Sequence, residues 1–244
     1  MKNREYNEEK LDGAEIAVRG GFLGWLDNYW YHYKWITVGI AFALIVLIIC
    51  TVQMCGKEKD DLVILYAGRN QLSAAEAEDI CSVFEAVCPE DFDGNGEKEL
   101  GLSAYYILSE TQINDMIKDT SEAGEAVYID KSYNSSQYDT YYSYLQTGDS
   151  SVLLLDPWLY SELASGGRLA ELEGVLGYAP DGAVGKYGVR LGDTALYEQY
   201  AVLKLLPEDT VICILKPYVI GKNSKEEYYA YEKKMLEALV SFGE

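Results

Sequence analysis

Residues 35–56 read WITVGIAFALIVLIICTVQMCG and contain no charged side chain. As a helix, these 22 residues would span roughly 33 Å, close to the apolar thickness of a bilayer. The segment has no polar face of the kind that a helix in a soluble domain carries. Aromatic residues cluster in front of it, as they do where membrane helices meet the lipid headgroups. The sequence therefore predicts a single transmembrane helix over residues 35–56.

The predicted helix divides the chain into a short tail, residues 1–34, and a large domain, residues 57–244. A secretory signal would have a shorter apolar core and a small-residue cleavage site, so we expect an uncleaved anchor in the lipid bilayer. Basic residues flank the helix on both sides, and counting them does not decide its orientation. A long domain translocates largely regardless of its charge. We therefore expect a single-pass protein of the cell membrane, with a cytoplasmic tail and an extracytoplasmic domain.

The chain is strongly acidic, with a formal net charge of −20. The tail has six acidic and five basic residues, a net charge of −1, which leaves −19 on residues 57–244. A polyanion of this size repels nucleic acid, so we expect no nucleic-acid partner. Cations or a basic partner would be attracted, although a solvated surface that keeps the domain soluble explains the composition equally simply.

Histidine and the common catalytic motifs are missing from the sequence of the large domain. The only histidine is His32, next to the membrane helix, which excludes a Ser-His-Asp triad and a histidine-ligated zinc in residues 57–244. No GxxxxGK[ST] loop occurs, and no GxGxxG fingerprint follows a predicted strand. The five cysteines form no CxxC pair, and we expect buried free thiols. A carboxylate pair could still hydrolyse glycosides, but nothing selects two of the acids, and we predict that the protein is not an enzyme.

The large domain alternates short apolar runs with helical patterns. Ser73 and Glu76 form a capping box that opens a helix, and Pro89 closes it. The tyrosine-rich stretch that follows shows helical patches near 111–118 and 137–146, and its tyrosines either stack on a sugar or a partner or cover the edge of the core. Strands are indicated at residues 61–68, 100–108, 151–155, 187–191 and 211–215. This alternation predicts an α/β domain with a largely parallel sheet.

An acidic turn, DFDGNGE at residues 91–97, resembles the first half of a calcium loop. Asp91, Asp93 and Asn95 place oxygen ligands at alternate positions, and a glycine at the sixth position permits the sharp turn. The twelfth position, normally a glutamate that binds through both oxygens, is Leu102. Asp and Gly are also the usual residues of a tight turn. The segment is therefore either a plain turn or a weak calcium site, and we expect no other cofactor.

The run YLQTGDSSVLLLD at residues 144–156, followed by LASGGRLAEL at 163–172, resembles a recurring stretch of extracellular solute-binding proteins. In that family a helix ends in a Gly-Asp turn, and a strand ends in an acidic residue near the ligand cleft. The next helix then leads to a Gly-x-Leu-x-x-Leu segment. The opening strand and helix, Leu62 to Val87, are also similar to the first unit of that fold.

The resemblance implies a type 2 periplasmic-binding-like α/β domain, as in membrane-anchored proteins of Gram-positive bacteria. Typical members are longer and hold their ligand between two lobes, whereas here a membrane helix replaces the cleaved lipoprotein signal and the second lobe would be truncated or missing. The expected function is a membrane-tethered module that binds or senses a small molecule or a protein. The alternative is an envelope interaction protein that keeps the fold without a ligand site.

Open α/β sheets bind ligands at the carboxyl ends of their parallel strands. The third predicted strand ends at Asp156, with Trp158 close behind, so that a carboxylate and a stacking ring emerge together. The first strand ends just before Arg69 and Asn70. We therefore predict that Arg69, Asn70, Asp156 and Trp158 bind the ligand. The alternative is that Asp156 caps the helix beginning at Pro157 while Trp158 packs on its own domain.

Overall fold

The structure is a computed structural model that describes residues 22–55, 60–92, 94–122, 128–180, 182–217, 221 and 225–243. The described residues fall into two compact units that divide between residues 58 and 59. In the first unit the structure describes one long helix. The second is the large domain, in which a mixed sheet carries helices on both faces.

Helix α1 (Phe22–Cys55) begins earlier than the sequence predicted. Within it, Asn28–Thr51 is long and apolar enough to cross a membrane. The rings of Trp25, Tyr29 and Tyr33 stack in sequence along the first part of the helix, with centroid separations of 5.6 and 5.3 Å. Residues four apart lie on the same side of a helix. These three rings thus form a continuous stripe on the same helix that carries the apolar segment.

The large domain follows the predicted alternation of strands and helices. One short 3-10 helix, Leu191–Asp193, precedes the helix Ala195–Gln199, and another, Ala201–Leu205, follows it. The described elements are β1 (Leu62–Gly68), α2 (Ala74–Val87), β2 (Leu100–Tyr106), α3 (Glu110–Glu122), α4 (Lys131–Thr147), β3 (Val152–Leu155), α5 (Pro157–Ser165), α6 (Leu172–Leu176), β4 (Ala183–Val184), β5 (Gly188–Arg190), α7 (Ala195–Gln199), β6 (Val211–Ile214) and α8 (Glu226–Val240).

The six described strands form one sheet in the order β2-β1-β3-β6-β5-β4. Strand β1 is parallel to β2 and β3, whereas β6 is antiparallel to β3 and β5, and β4 and β5 form an antiparallel pair. The α/β class is confirmed, but the sheet is mixed, and the expectation of a largely parallel sheet is wrong because β6 and β4 run opposite to the other four described strands.

The connection between β5 and β6 explains the reversed direction. Arg190 at the end of β5 pairs with Val211 at the start of β6, and the Leu191 N–H donates to the Thr210 carbonyl at 2.7 Å. The chain therefore turns back at the same edge of the sheet. A parallel pair would need a crossover that returns the chain to the opposite edge.

The core has two layers because both faces of the sheet are covered. On one face, Leu62, Ile64 and Tyr66 of β1 belong to a cluster with α2 and α8. On the other, Leu65 and Ala67 pack in a cluster with α4 and α5. A strand that is buried on both faces reads as a continuous apolar run, which is what β1 shows.

The local signals that open the helices are confirmed where the structure describes them. Ser73 and Glu76 form the predicted capping box of α2. Helix α4 is a single helix that spans the predicted patch at 137–146. It begins after Asp130, whose carboxylate accepts the backbone N–H groups of Ser132 and Tyr133, and it ends at Gly148 with φ 67°. Helix α4 forms one wall of the candidate site.

Candidate functional site

The carboxyl ends of β1 and β3 bring two of the predicted residues into contact. Arg69 Nη1 donates to Asp156 Oδ2 at 3.1 Å. Asp156 is 4% exposed, and its other oxygen accepts the Trp158 backbone N–H at 3.3 Å as the N-cap of α5. Asp156 therefore caps α5, as its place directly before Pro157 suggested. It is also the buried partner of Arg69.

Two residues that the sequence did not single out complete this cluster. Asp209 faces the guanidinium with both oxygens, at 3.0 Å from Nη1 and 2.7 Å from Nη2. Gln112 Nε2 donates to Asp156 Oδ2 at 2.9 Å. A two-pronged arginine–carboxylate contact is geometrically specific and strong for an ion pair. We refer to Arg69, Gln112, Asp156 and Asp209 as the Arg69 network.

The Arg69 network ties separate segments of the chain to one another. The hydrogen bonds that Arg69 donates to Asp209 are the largest cause of its raised pKa, and partial burial opposes them. The guanidinium is therefore already held by two carboxylates, Asp156 and Asp209. The network thus fixes loops at the edge of the sheet.

Asn70 is also engaged by its own domain. Its side-chain amide donates to the Leu205 carbonyl at 2.8 Å, and its backbone N–H donates to the Tyr66 hydroxyl at 3.2 Å. Burial raises the pKa of Tyr66 to about 12, so this hydroxyl stays neutral at physiological pH. Asn70 thereby links the end of β1 to the segment before β6.

The four predicted ligand residues do not converge on one cavity. Arg69 and Asn70 line an open cavity of about 410 Å³ together with Lys204. Trp158 lines a larger one of about 770 Å³. Asp156 contacts Arg69 and the Trp158 backbone and lines neither of these two cavities. Both volumes are in the range of small-molecule sites, and the larger cavity is the stronger candidate because its lining has more apolar and aromatic side chains, as ligand sites usually do.

The larger cavity lies between α3 and α4, and we call it the α3–α4 groove. Side chains from α3, α4, the β2–α3 loop and α5 surround it. The lining consists of Ile107, Leu108, Ser109, Glu110, Ile113, Asn114, Lys131, Asn134, Ser135, Tyr138 and Trp158. Apolar side chains from the strand end are thus combined with polar side chains from the two helices.

Two stacked aromatic rings line the groove. The rings of Tyr138 and Trp158 lie 6.2 Å apart between centroids at an interplanar angle of 15°. The Tyr138 hydroxyl donates to Glu162 Oε1 at 2.9 Å. Burial raises the pKa of Tyr138, and the bond to Glu162 adds to that increase. The buried indole Nε1 of Trp158 has no hydrogen-bond partner among the described residues, an uncommon state for a buried donor.

Some polar groups of the groove hold the walls together, while others are unengaged. Asn134 accepts the Leu108 N–H at 2.8 Å and donates to the Leu108 carbonyl at 3.0 Å, which pins α4 to the β2–α3 loop. Ser109 and Gln112 form a capping box at the start of α3. Besides the Trp158 indole, the polar side chains of the lining with no hydrogen bond or ion pair to another described residue are those of Glu110, Asn114, Lys131 and Ser135.

Sequence signals existed for one of the two missed residues. The spacing Ser109-x-x-Gln112 is that of a capping box, which would have placed Gln112 at a helix start near the sheet edge. Asp209 had no such signal. It reaches Arg69 because β6 starts at the edge where β3 ends, with Val211 opposite Leu155, and that position depends on the direction of β6.

In the acidic turn, side-chain oxygens accept hydrogen bonds from the backbone of the turn itself. Asp91 accepts the Gly94 and Gly96 N–H groups at 2.7 Å each, and Asn95 accepts the Glu97 N–H at 2.7 Å. Asp93 lies outside the described residues. Within the described part of the chain, no three His, Cys, Asp or Glu side chains are grouped as a metal site. The geometry is that of a tight turn, and calcium binding stays a prediction.

No family model, no curated protein and no solved structure matches this chain. The α3–α4 groove and the Arg69 network are therefore the candidate functional features of the large domain.

Proposed function

We propose that the protein is a membrane-tethered binding or sensing module that holds a small ligand in the α3–α4 groove. In this proposal α1 is the single-pass anchor, the tail is cytoplasmic and the large domain is extracytoplasmic. The observation that carries the proposal is the stacked pair of Tyr138 and Trp158 in a groove with unengaged polar side chains. An apolar surface with a few polar groups is the usual composition of a ligand site. Aromatic rings add contact area with defined geometry.

We further propose that the large domain has a solute-binding-like fold. The supporting observations are local. A buried strand ends at Asp156, which caps the next helix, and Leu169 and Leu172 of the Gly-x-Leu-x-x-Leu segment are buried in the core. Each of these features agrees with the packing pattern that the resemblance implies, although each is also a general feature of α/β domains.

A thermal-shift screen of the full-length protein in detergent tests the binding proposal. The ligands are saccharides, short peptides and divalent cations. A ligand at a concentration of 100 times its Kd stabilises the native state by about 2.7 kcal/mol, which is readily measured. The Trp158→Ala variant should lose the shift, while Tyr142→Ala, an exposed ring on α4 outside the groove lining, should keep it. If Trp158→Ala keeps the full shift, the groove is not the site.

The envelope interaction protein is the second candidate, and one observation favours it. Met116 and Ile117 are exposed on α3, next to the groove on a helix that also carries the buried Ile113. A photo-crosslinking side chain at position 117 should then trap a protein partner in intact membranes, and the ligand screen should give no shift. A ligand shift that depends on Trp158 would favour the binding module instead.

A further inference from the structure

We infer that the α3–α4 groove takes a short peptide that carries basic and apolar side chains. This inference rests on the proposed function, because it names the ligand class of the same groove. Three features of the groove and its surroundings carry it: the sign of the charge, the stacked rings and the apolar stripe of α3.

The charge around the groove is predominantly negative. Glu110 lines it, Asp130 caps the helix that forms one wall, and Glu162 accepts the Tyr138 hydroxyl. Lys131 is the only basic residue in the lining. The chain as a whole carries a formal charge of −20, so its field attracts a cationic ligand and repels an anionic one.

The stacked rings add a second preference for a cation. The face of an aromatic ring is the negative end of its quadrupole, and an ammonium or guanidinium group over Trp or Tyr is attracted to it. Tyr138 and Trp158 line the groove together with the carboxylate of Glu110. A lysine or arginine side chain can contact a ring with its apolar stem and a carboxylate with its charged end.

The apolar surface distinguishes a peptide from a small amine. Ile113 lies in the groove lining, and the exposed Met116 and Ile117 follow it along α3. Residues three and four positions apart lie on one face of a helix, so the apolar stripe continues along α3 beyond the lining residues. A free polyamine has no side chains that would cover this stripe. A peptide with apolar residues between basic ones matches both surfaces.

Fluorescence of Trp158 in the full chain tests the inference. The chain has four tryptophans, so replacing Trp25, Trp30 and Trp35 by Phe leaves Trp158 as the only reporter. The protein is placed in nanodiscs of phosphatidylcholine, which carry no net charge to bind a basic peptide. The probes are the hexapeptides KLKFKL, QLQFQL and ELEFEL, and free spermine.

We expect KLKFKL to change the Trp158 emission saturably and the other probes to bind at least about ten-fold more weakly. Raising sodium chloride from about 0.05 M to about 0.5 M should weaken its binding, because salt screens the charges. Glu110→Gln and Glu162→Gln should each weaken binding about two- to five-fold, as for a partly exposed ion pair. Glu173→Gln, a matched change on α6 in a different cavity, should leave binding unchanged.

The failures of the inference and of the proposed function can be told apart. If QLQFQL binds as tightly as KLKFKL, the ligand is not required to be basic. If spermine binds as tightly as KLKFKL, the ligand is not required to be a peptide. In both cases the groove is still the site. A Trp158 response to a saccharide but to none of the peptides also overturns only the inference. A thermal-shift ligand that acts without any Trp158 response overturns both.

Discussion

Asp156 holds three groups with one buried carboxylate: the Arg69 guanidinium, the Gln112 amide and the backbone N–H at the start of α5. Replacement by Asn keeps the size but removes the charge from a site that is 4% exposed. We expect Asp156→Asn to lower the free energy of unfolding by about 1–3 kcal/mol, because it leaves partners unsatisfied. Asp209→Asn should cost no more than about 1 kcal/mol, because that side chain is 41% exposed.

Urea denaturation of both variants checks this difference. Asp193→Asn is the control, because both Asp193 and its ion-pair partner Arg190 are exposed. Its free energy of unfolding should change by no more than about 0.5 kcal/mol. Equal costs for Asp156→Asn and Asp209→Asn would mean that the buried carboxylate is not the centre of the Arg69 network.

Tyr141 and Tyr160 provide a matched comparison in one core cluster. The buried hydroxyl of Tyr141 has no hydrogen-bond partner among the described residues, whereas that of Tyr160 donates to the Val184 carbonyl. Removal of an unsatisfied buried polar group is neutral or stabilising, whereas removal of a donor leaves its acceptor unpaired. Tyr141→Phe should therefore keep or raise the free energy of unfolding, and Tyr160→Phe should lower it by about 1 kcal/mol. Guanidinium denaturation that shows the larger loss for Tyr141→Phe would contradict this assignment.

At the scale of single elements, α2 packs one side against the sheet. Ile80, Val83 and Phe84 are buried there, in one core cluster with β1. Phe84→Ala should lower the free energy of unfolding by about 3–5 kcal/mol through the cavity it leaves. Ser82→Ala, on the exposed side of the same helix, is the control. A neutral Phe84→Ala variant in urea denaturation would show that another face of α2 packs on the sheet.

Helices and strands were predictable from the sequence where neighbouring residues determine them. They were less predictable where their direction depends on pairing with a strand that is distant in the sequence. The capping box at Ser73 and the apolar run of β1 can each be recognised from a few neighbouring residues. The predicted start of α2 and the predicted strand β1 therefore agree with the structure. The direction of β6 depends on the hydrogen bond from Leu191 to Thr210, which periodicity does not encode. Asp209 was missed for the same reason. Asp156 and Arg69 were predicted because both follow parallel strands, but their mutual ion pair needs the sheet order β1-β3.

For the whole molecule, buried tyrosines predict a loss of stability at alkaline pH. Burial raises the pKa of Tyr66, Tyr144 and Tyr229 to about 12 from an ordinary value of 10.0. The folded state therefore retains protons that the unfolded state loses. This contribution to stability is complete below about pH 10 and is lost as the pH rises towards about 12. Urea midpoints measured from about pH 9 to about pH 11.5 should fall, together with the appearance of tyrosinate absorbance, and constant midpoints would contradict the burial.

The membrane anchor and the acidic domain together define the proposed module. Helix α1 is long and apolar enough to cross a bilayer, and a binding module for ligands outside the cell requires that the large domain be exposed there. The most direct test is protease added to intact protoplasts that express the chain with a different tag at each end. The account predicts loss of the C-terminal tag and protection of the N-terminal tag. Protection of the C-terminal tag with loss of the N-terminal tag would place the large domain in the cytoplasm and contradict the account.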